Sequence, residues 1–277
     1  MIMQKQTAIL ICILLSMSEV YGQWMQKHGP YGGRILALAV NNTTIFAGTF
    51  GGGVFHSIDN GNTWTEINNG LPNTSRVYCF AVNGTTIFAG TYNSGVFRSI
   101  DNGTSWLAVN NGITNLNINT LAINGTTVFA GTNGDGVFRS TDNGETWTAI
   151  NDGMTDFYIN ALVINGATVF AGTNKYGLFR STDNGETWTA LVNGPYLISI
   201  LSLALNGSII FAGTSGDGVF YSTNNGTTWV PVNNGFTNMF IQSLAVIGKT
   251  IIAGTLGGGV FKSIDNDPPL LDAIACK

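Results

Sequence analysis

Phe46-Ala47-Gly48-Thr49 is repeated as Phe88-Ala89-Gly90-Thr91, then from Phe129, Phe170 and Phe211, and returns as Ile252-Ala253-Gly254-Thr255. The steps between copies are 42, 41, 41, 41 and 41 residues. Self-similarity at a constant period means one supersecondary unit used repeatedly, each copy burying its apolar face against its neighbours. A period near 41 suits a four-stranded propeller blade.

Working outward from the third copy, the residues supply four strands. The pattern predicts them over 118–123, 126–132, 137–140 and 146–150. Asn124-Gly125 is a strong two-residue hairpin signal, 133–136 is a Gly-rich loop, and Asp142-Asn143-Gly144 is a turn. An antiparallel meander follows. In the first strand of each unit, Leu38, Phe80, Leu121, Leu162, Leu203 and Leu244 alternate with Ala39, Ala81, Ala122, Val163, Ala204 and Ala245. Large residues beside small ones suit a strand crowded around a central axis, so this strand is expected innermost, lining the channel.

The six Trp fit one per blade. Five follow the third strand of a unit, at Trp64, Trp106, Trp147, Trp188 and Trp229, whereas the sixth unit breaks into Asp267-Pro268-Pro269 without one. Trp24 precedes the first unit. The expected fold is therefore an all-β, six-bladed propeller over 23–267, its last blade closed by the N-terminal strand so that no seam stays open. The alternative is a truncated seven-bladed form with 268–277 as a residual tail.

Composition narrows the function classes. Only 9% of the 277 residues are charged and the formal charge is -4, against about 25% charged in ordinary soluble domains. Coiled coils and basic nucleic-acid surfaces are excluded on this count, and the pI near 5.0 agrees. Lys5 followed by the apolar run 7–17 and the small-residue site Val20-Tyr21-Gly22 reads as a signal peptide over 1–22, too short to span a bilayer. Export to the periplasm, cell surface or exterior is expected, without integral membrane association and as a monomer. Cys79 and Cys276 remain in the mature chain; a bond between them is one possibility and a small core position for Cys79 the other.

The turn before the fourth strand reads Ser57-Ile58-Asp59-Asn60-Gly61-Asn62-Thr63-Trp64, and recurs from Ser99, Ser140, Ser181 and Ser222. This pattern resembles the Asp-box, or bacterial neuraminidase repeat, S-x-D-x-G-x-[ST]-W. The resemblance covers about Trp24 to Asn266 and implies a propeller of the type found in sialidases, sortilins, xyloglucanases and photosystem II assembly factors. Asn224 replaces Asp in the fifth copy, and the sixth keeps Asp265 but has Asp267 where Gly stands. Turn chemistry makes Asp59, Asp101, Asp142, Asp183 and Asp265 structural: the carboxylate accepts backbone N–H bonds, Gly takes a positive φ, and Trp packs under the hairpin. The resemblance agrees, because Asp-boxes lie away from the sialidase active site.

A meander puts the Asn-Gly turns and the boxes on one face and the variable loops on the other. Binding is expected on the variable face, where loops change without disturbing the scaffold. Its candidates are Tyr31, Arg34, Arg76, Tyr92, Phe157 and Tyr158, with Tyr176, Tyr196 and Phe240; aromatic side chains there can stack on sugar rings or anchor a protein partner. Phe50 and Lys175 share that face.

Sialidase chemistry, as the resemblance implies it, needs an arginine cluster, a Tyr nucleophile paired with Glu, and an Asp acid/base. Arg98, Arg139 and Arg180 occupy one repeated position and read as blade-surface residues, which leaves Arg34 and Arg76 on the variable face. A glycosidase carboxylate pair would have to come from Asp135, Asp156 and Asp217, of which Asp135-Gly136 and Asp217-Gly218 also read as turn chemistry. His28 and His56 are the only histidines, giving no zinc cluster and no Ser-His-Asp set. No cofactor or metal is expected. These residues point to an exported, non-catalytic binding or scaffold propeller that recognises a protein or a carbohydrate; the alternative is an Asp-box glycoside hydrolase, closer to the xyloglucanases than to the sialidases.

Overall fold

The computed structural model of the chain describes residues 29–30, 33–248 and 250–263. It is a six-bladed, all-β propeller in which each blade is an antiparallel meander in sequence order. Five blades have four strands. The described part of the sixth has three, Ile241–Ile247, Thr250–Thr255 and Gly259–Lys262. The stretch 1–22, the segment around Trp24 expected to close this blade, Asp265, and the tail with Cys276 lie outside the described residues.

The third blade shows how the sequence produces the meander. Its strands are Ile118–Asn124, Thr127–Thr132, Val137–Ser140 and Thr148–Ala149. The hairpin turns on Gly125, at φ 60°, the left-handed conformation for which Gly carries no Cβ penalty. The fourth strand is shorter than the pattern predicts because Trp147 leaves the sheet. Its buried indole fills the junction with the preceding blade, and Nε1 donates to the Val109 carbonyl at 2.8 Å. Trp106 and Trp188 do the same toward Ile67 and Ile150. The Trp is thus a blade-to-blade staple as well as a hairpin prop.

The core is a succession of blade junctions. First strands of consecutive blades approach one another most closely, which places them innermost, as expected. The alternation within them serves the junctions: Ala39 and Phe80 share one apolar cluster, Ala122 and Leu162 a second, Val163 and Leu203 a third, and Ala204 and Leu244 a fourth. A small residue on one blade receives a large one from the next. The Phe of each repeated tetrapeptide is fully buried in these clusters, a contribution of about 1.5–3 kcal/mol per side chain. Its Gly is a close-approach position, since a Cβ on Gly131 would come within 2.6 Å of Ile159 Cγ2 in the next blade.

The junction between the sixth and first blades differs from the other five. Val54, Val96, Val137 and Leu178 are 0% exposed against Val77, Ile118, Ile159 and Ile200, themselves 0% exposed. The equivalent pair at the ends is Val260 and Ile35, at 60% and 42%. A Cβ on Gly254 would meet only Ser243 of its own blade, where the other five meet the following blade. The strand expected to close this junction lies outside the described residues. Cys79 sits at an inner-strand position against Gly90, its thiol free among the described residues, and burial pushes its pKa up to about 12.

Candidate functional site

The two faces of the propeller are built differently. On the turn face, each of the five described boxes is a closed hydrogen-bond circuit. In the third blade, Ser140 Oγ donates to Asp142 Oδ1 at 2.7 Å and accepts from the Gly144 amide at 2.8 Å. Asp142 Oδ1 also accepts the Thr146 amide at 2.9 Å, and Oδ2 accepts the Thr146 hydroxyl at 2.6 Å. These donors hold the Asp101, Asp142 and Asp183 carboxyls at about 2, led by side-chain hydroxyls, and Asp59 equally, led by the Thr63 amide. Hydrogen bonds to the charged form favour it. Such carboxylates are acceptors already in use.

The fifth box keeps the geometry with Asn224. Its Oδ1 accepts the Thr228 amide at 2.9 Å, while its Nδ2 donates to Thr228 Oγ1 at 2.8 Å, reversing the hydroxyl's role. Arg98 and Arg139, read from sequence as blade-surface residues, are largely covered clamps between blades. Each donates to a box carbonyl of the next blade, Asn143 or Asn184, and pairs with Glu145 or Glu186 at 2.7 Å.

On the loop face, each blade presents one cross-strand pair, formed by the residue before the first strand and the residue after the second. The backbone hydrogen bond is the same in all six: Phe50 to Arg34, Tyr92 to Arg76, Asn133 to Asn117, Asn174 to Tyr158, Ser215 to Ser199 and Leu256 to Phe240, at 2.9 or 3.0 Å. The side chains differ. Blades one and two carry cation and aromatic, blades three to five carry mostly neutral polar groups, and blade six is apolar.

The sequence-derived candidates therefore do not form one cluster. Arg34, Arg76 and Tyr92 come together around Phe50. The Arg76 guanidinium carbon lies 4.2 Å from the Phe50 ring centroid and 5.3 Å from that of Tyr92, and Arg34 lies 5.9 Å from Phe50. Tyr78, which sequence reasoning passed over, adds a tilted ring 5.9 Å from Tyr92. A groove of about 470 Å³ opens beside them, lined by Phe50, Gly51, residues 72–76 and residues 92–94. Phe157, Tyr158, Tyr176, Tyr196 and Phe240 are exposed on later blades, and Tyr31 lies outside the described residues.

Two of the three candidate acids spend their carboxylates on hydrogen bonds. Asp156 is buried, accepting the Tyr158 amide at 3.0 Å and the Lys175 amide at 2.8 Å. It occupies the turn position that Asn115 and Asn238 fill elsewhere, each accepting the amide two residues on. Asp135 accepts from Thr114 at 2.6 Å and from Asn115 at 3.3 Å. Asp217 lies in the equivalent loop two blades further on. Among the described residues no group of three His, Cys, Asp or Glu side chains is placed to hold a metal ion.

Fold, repeat and box circuit together are those of an Asp-box β-propeller. The model for the DUF6242 beta propeller domain matches residues 30–161, and the BNR/Asp-box repeat model matches 179–190. No curated protein sequence matches the chain. Among solved structures it is similar to the extracellular domain of the one component system BT4673 from B. thetaiotaomicron, with 22% identity and TM-score 0.71 over 86% of this chain and 34% of that one. It is also similar to the GH74 enzyme of Niastella koreensis, with 22% identity and TM-score 0.65 over 88% of this chain and 39% of that one. YCF48 bound to D1 peptide shares 13% identity and TM-score 0.68 over 86% of this chain and 81% of that one. The chain thus spans about a third of the length of the BT4673 structure. No helix among the described residues is long and apolar enough to cross a membrane.

Proposed function

We propose that the protein is an exported, non-catalytic binding propeller that recognises a protein or carbohydrate partner through its loop face, with 23–267 as the propeller, 1–22 as the signal peptide and 268–277 as a tail. One observation carries this reading: six identical backbone positions on one rim bear six different side-chain pairs. The scaffold holds those positions whatever they carry, which is the arrangement of a recognition surface on a rigid frame. The similar structures include an extracellular domain and a peptide-bound propeller, which fits export and partner binding.

The hydrolase alternative draws on the likeness to GH74 enzymes. It gains less from the site, because two free acids must flank a scissile bond and both oxygens of Asp156 are spent on backbone amides. The test is a glycan and peptide array together with fluorogenic glycosides. Binding without turnover, weakened by Tyr158→Ala or Tyr176→Ala, supports the proposal; turnover abolished by Asp135→Asn or Asp217→Asn overturns it.

A further inference from the structure

We infer that the rim of blades one and two binds a carboxylate-bearing peptide segment, with Arg76 and Arg34 as its anchoring cations. This rests on the loop-face reading above and gives the ligand its chemistry.

The first observation is uncompensated charge. Arg98 and Arg139 each have a glutamate and a carbonyl oxygen as partners. Arg34 and Arg76, over a single phenylalanine ring, have neither a hydrogen bond nor an ion pair among the described residues. Glu66, the acid of blade one nearest this face, accepts from Asn68 at 2.9 Å and forms no ion pair with either arginine, and the remaining described acids of the face belong to blades three to five and their connections. Two like charges held near one ring repel each other, and an anion between them removes that cost.

The second observation is preorganisation. A guanidinium over an aromatic ring keeps its in-plane N–H edge available, and that edge matches a carboxylate in bidentate fashion. Holding the fork on the Phe50 and Tyr92 rings lowers the ordering cost of binding. The groove wall is also shaped in advance. Thr74 sits at φ 63°, a left-handed conformation in which a β-branched residue is an outlier. It is kept there by the Ser75 hydroxyl donating to the Pro72 carbonyl at 2.6 Å and by the Gly53 amide donating to the Ser75 carbonyl at 3.2 Å. Outliers of this kind cluster where a site needs a fixed shape.

The third observation separates peptide from glycan. A neutral pyranose is recognised by stacking on an open aromatic face, but here guanidinium groups already lie over both rings. What the groove offers besides charge is amide and hydroxyl groups from Asn73, Asn93 and Ser94. Amides of this kind pair well with a peptide main chain.

The test is fluorescence anisotropy with a labelled oligo-glutamate peptide, its oligo-glutamine counterpart, and an oligogalacturonate of matched charge. The glutamate peptide should bind best. Arg76→Gln and Arg34→Gln should each weaken it by about ten- to a hundredfold, the usual worth of a hydrogen bond to a charged group. Arg76→Lys, which keeps the charge without the fork, should fall between wild type and Arg76→Gln, so that loss of the fork is read independently of folding. Ile58→Ala, at an exposed position on the turn face, should change nothing. Equal binding of the glutamine peptide, preference for the oligogalacturonate, or indifference to both Arg→Gln variants would overturn the inference. If array ligands bind through Tyr158 or Tyr176 while the glutamate peptide does not, this inference fails and the broader binding reading stands; if nothing binds anywhere, both fail.

Discussion

The turn face and the loop face each repeat one backbone geometry from blade to blade, the box in its five described copies and the rim pair in all six, yet they use it for opposite ends. On the turn face nearly every polar group is consumed internally, as in the Ser140–Asp142–Thr146 circuit, and the side chains barely vary. On the loop face the constant element is one backbone hydrogen bond, and the side chains attached to it range from Arg76 and Tyr92 to Ser199 and Ser215. Repetition of side chains marks the part that holds the blades together; repetition of backbone alone marks the part left free to differ.

The sharpest way to break this comparison is to cut one residue from each face. Trp147→Ala removes a buried indole and its bond to the preceding blade, and should cost about 3–5 kcal/mol in urea unfolding. Tyr176→Ala on the exposed rim should stay within about 0.5 kcal/mol. Next in size is Ser140→Ala. It leaves the Gly144 amide without its acceptor, and a loss of about 1–3 kcal/mol is expected from the same measurement.

A pH scan tests the box circuits collectively. Asp59, Asp101, Asp142 and Asp183 are held at about 2 in the fold, below the roughly 3.9 of an unfolded Asp. Their contribution is therefore complete above about pH 4 and is lost as pH falls toward 2. Melting temperature should drop across that window, and Asp142→Asn, which copies the natural Asn224 turn, should still fold while making the drop shallower. The smallest stability change is expected from moving specificity across the rim. Ser199→Arg with Ser215→Tyr transplants the second blade's pair onto the fifth, should alter stability by less than about 1 kcal/mol, and should raise affinity for the labelled glutamate peptide.

Much of the fold is legible in the sequence because the repeat states it. Blade number, strand order and the structural role of the box acids follow from a tetrapeptide period and a turn motif. The junctions were less readable. The Ala122–Leu162 pairing spans two copies, and the Trp147 bond to Val109 is invisible to any reading within one repeat. Arg98 and Arg139 look like surface residues for the same reason, since their partners lie one blade away. At the site, sequence reasoning collected the loop-face aromatics without their grouping. Noting that Arg34 and Phe50, like Arg76 and Tyr92, are each 16 residues apart would have found the pairs. Tyr78 carries no such signal, because it is an inner-strand residue whose ring reaches the rim.

The rim hydrogen bond has a consequence for how such a protein can change. Because the main chain alone makes it, a new side chain at either position of a pair leaves that bond in place, even where the old one, like Asn117 or Ser199, also reached the preceding blade. Six sites can then be rewritten one at a time, and each revision is tried on a frame that is already folded. A gene encoding this architecture can acquire a different partner through one or two codons, with the cost of error confined to a blade and its neighbour.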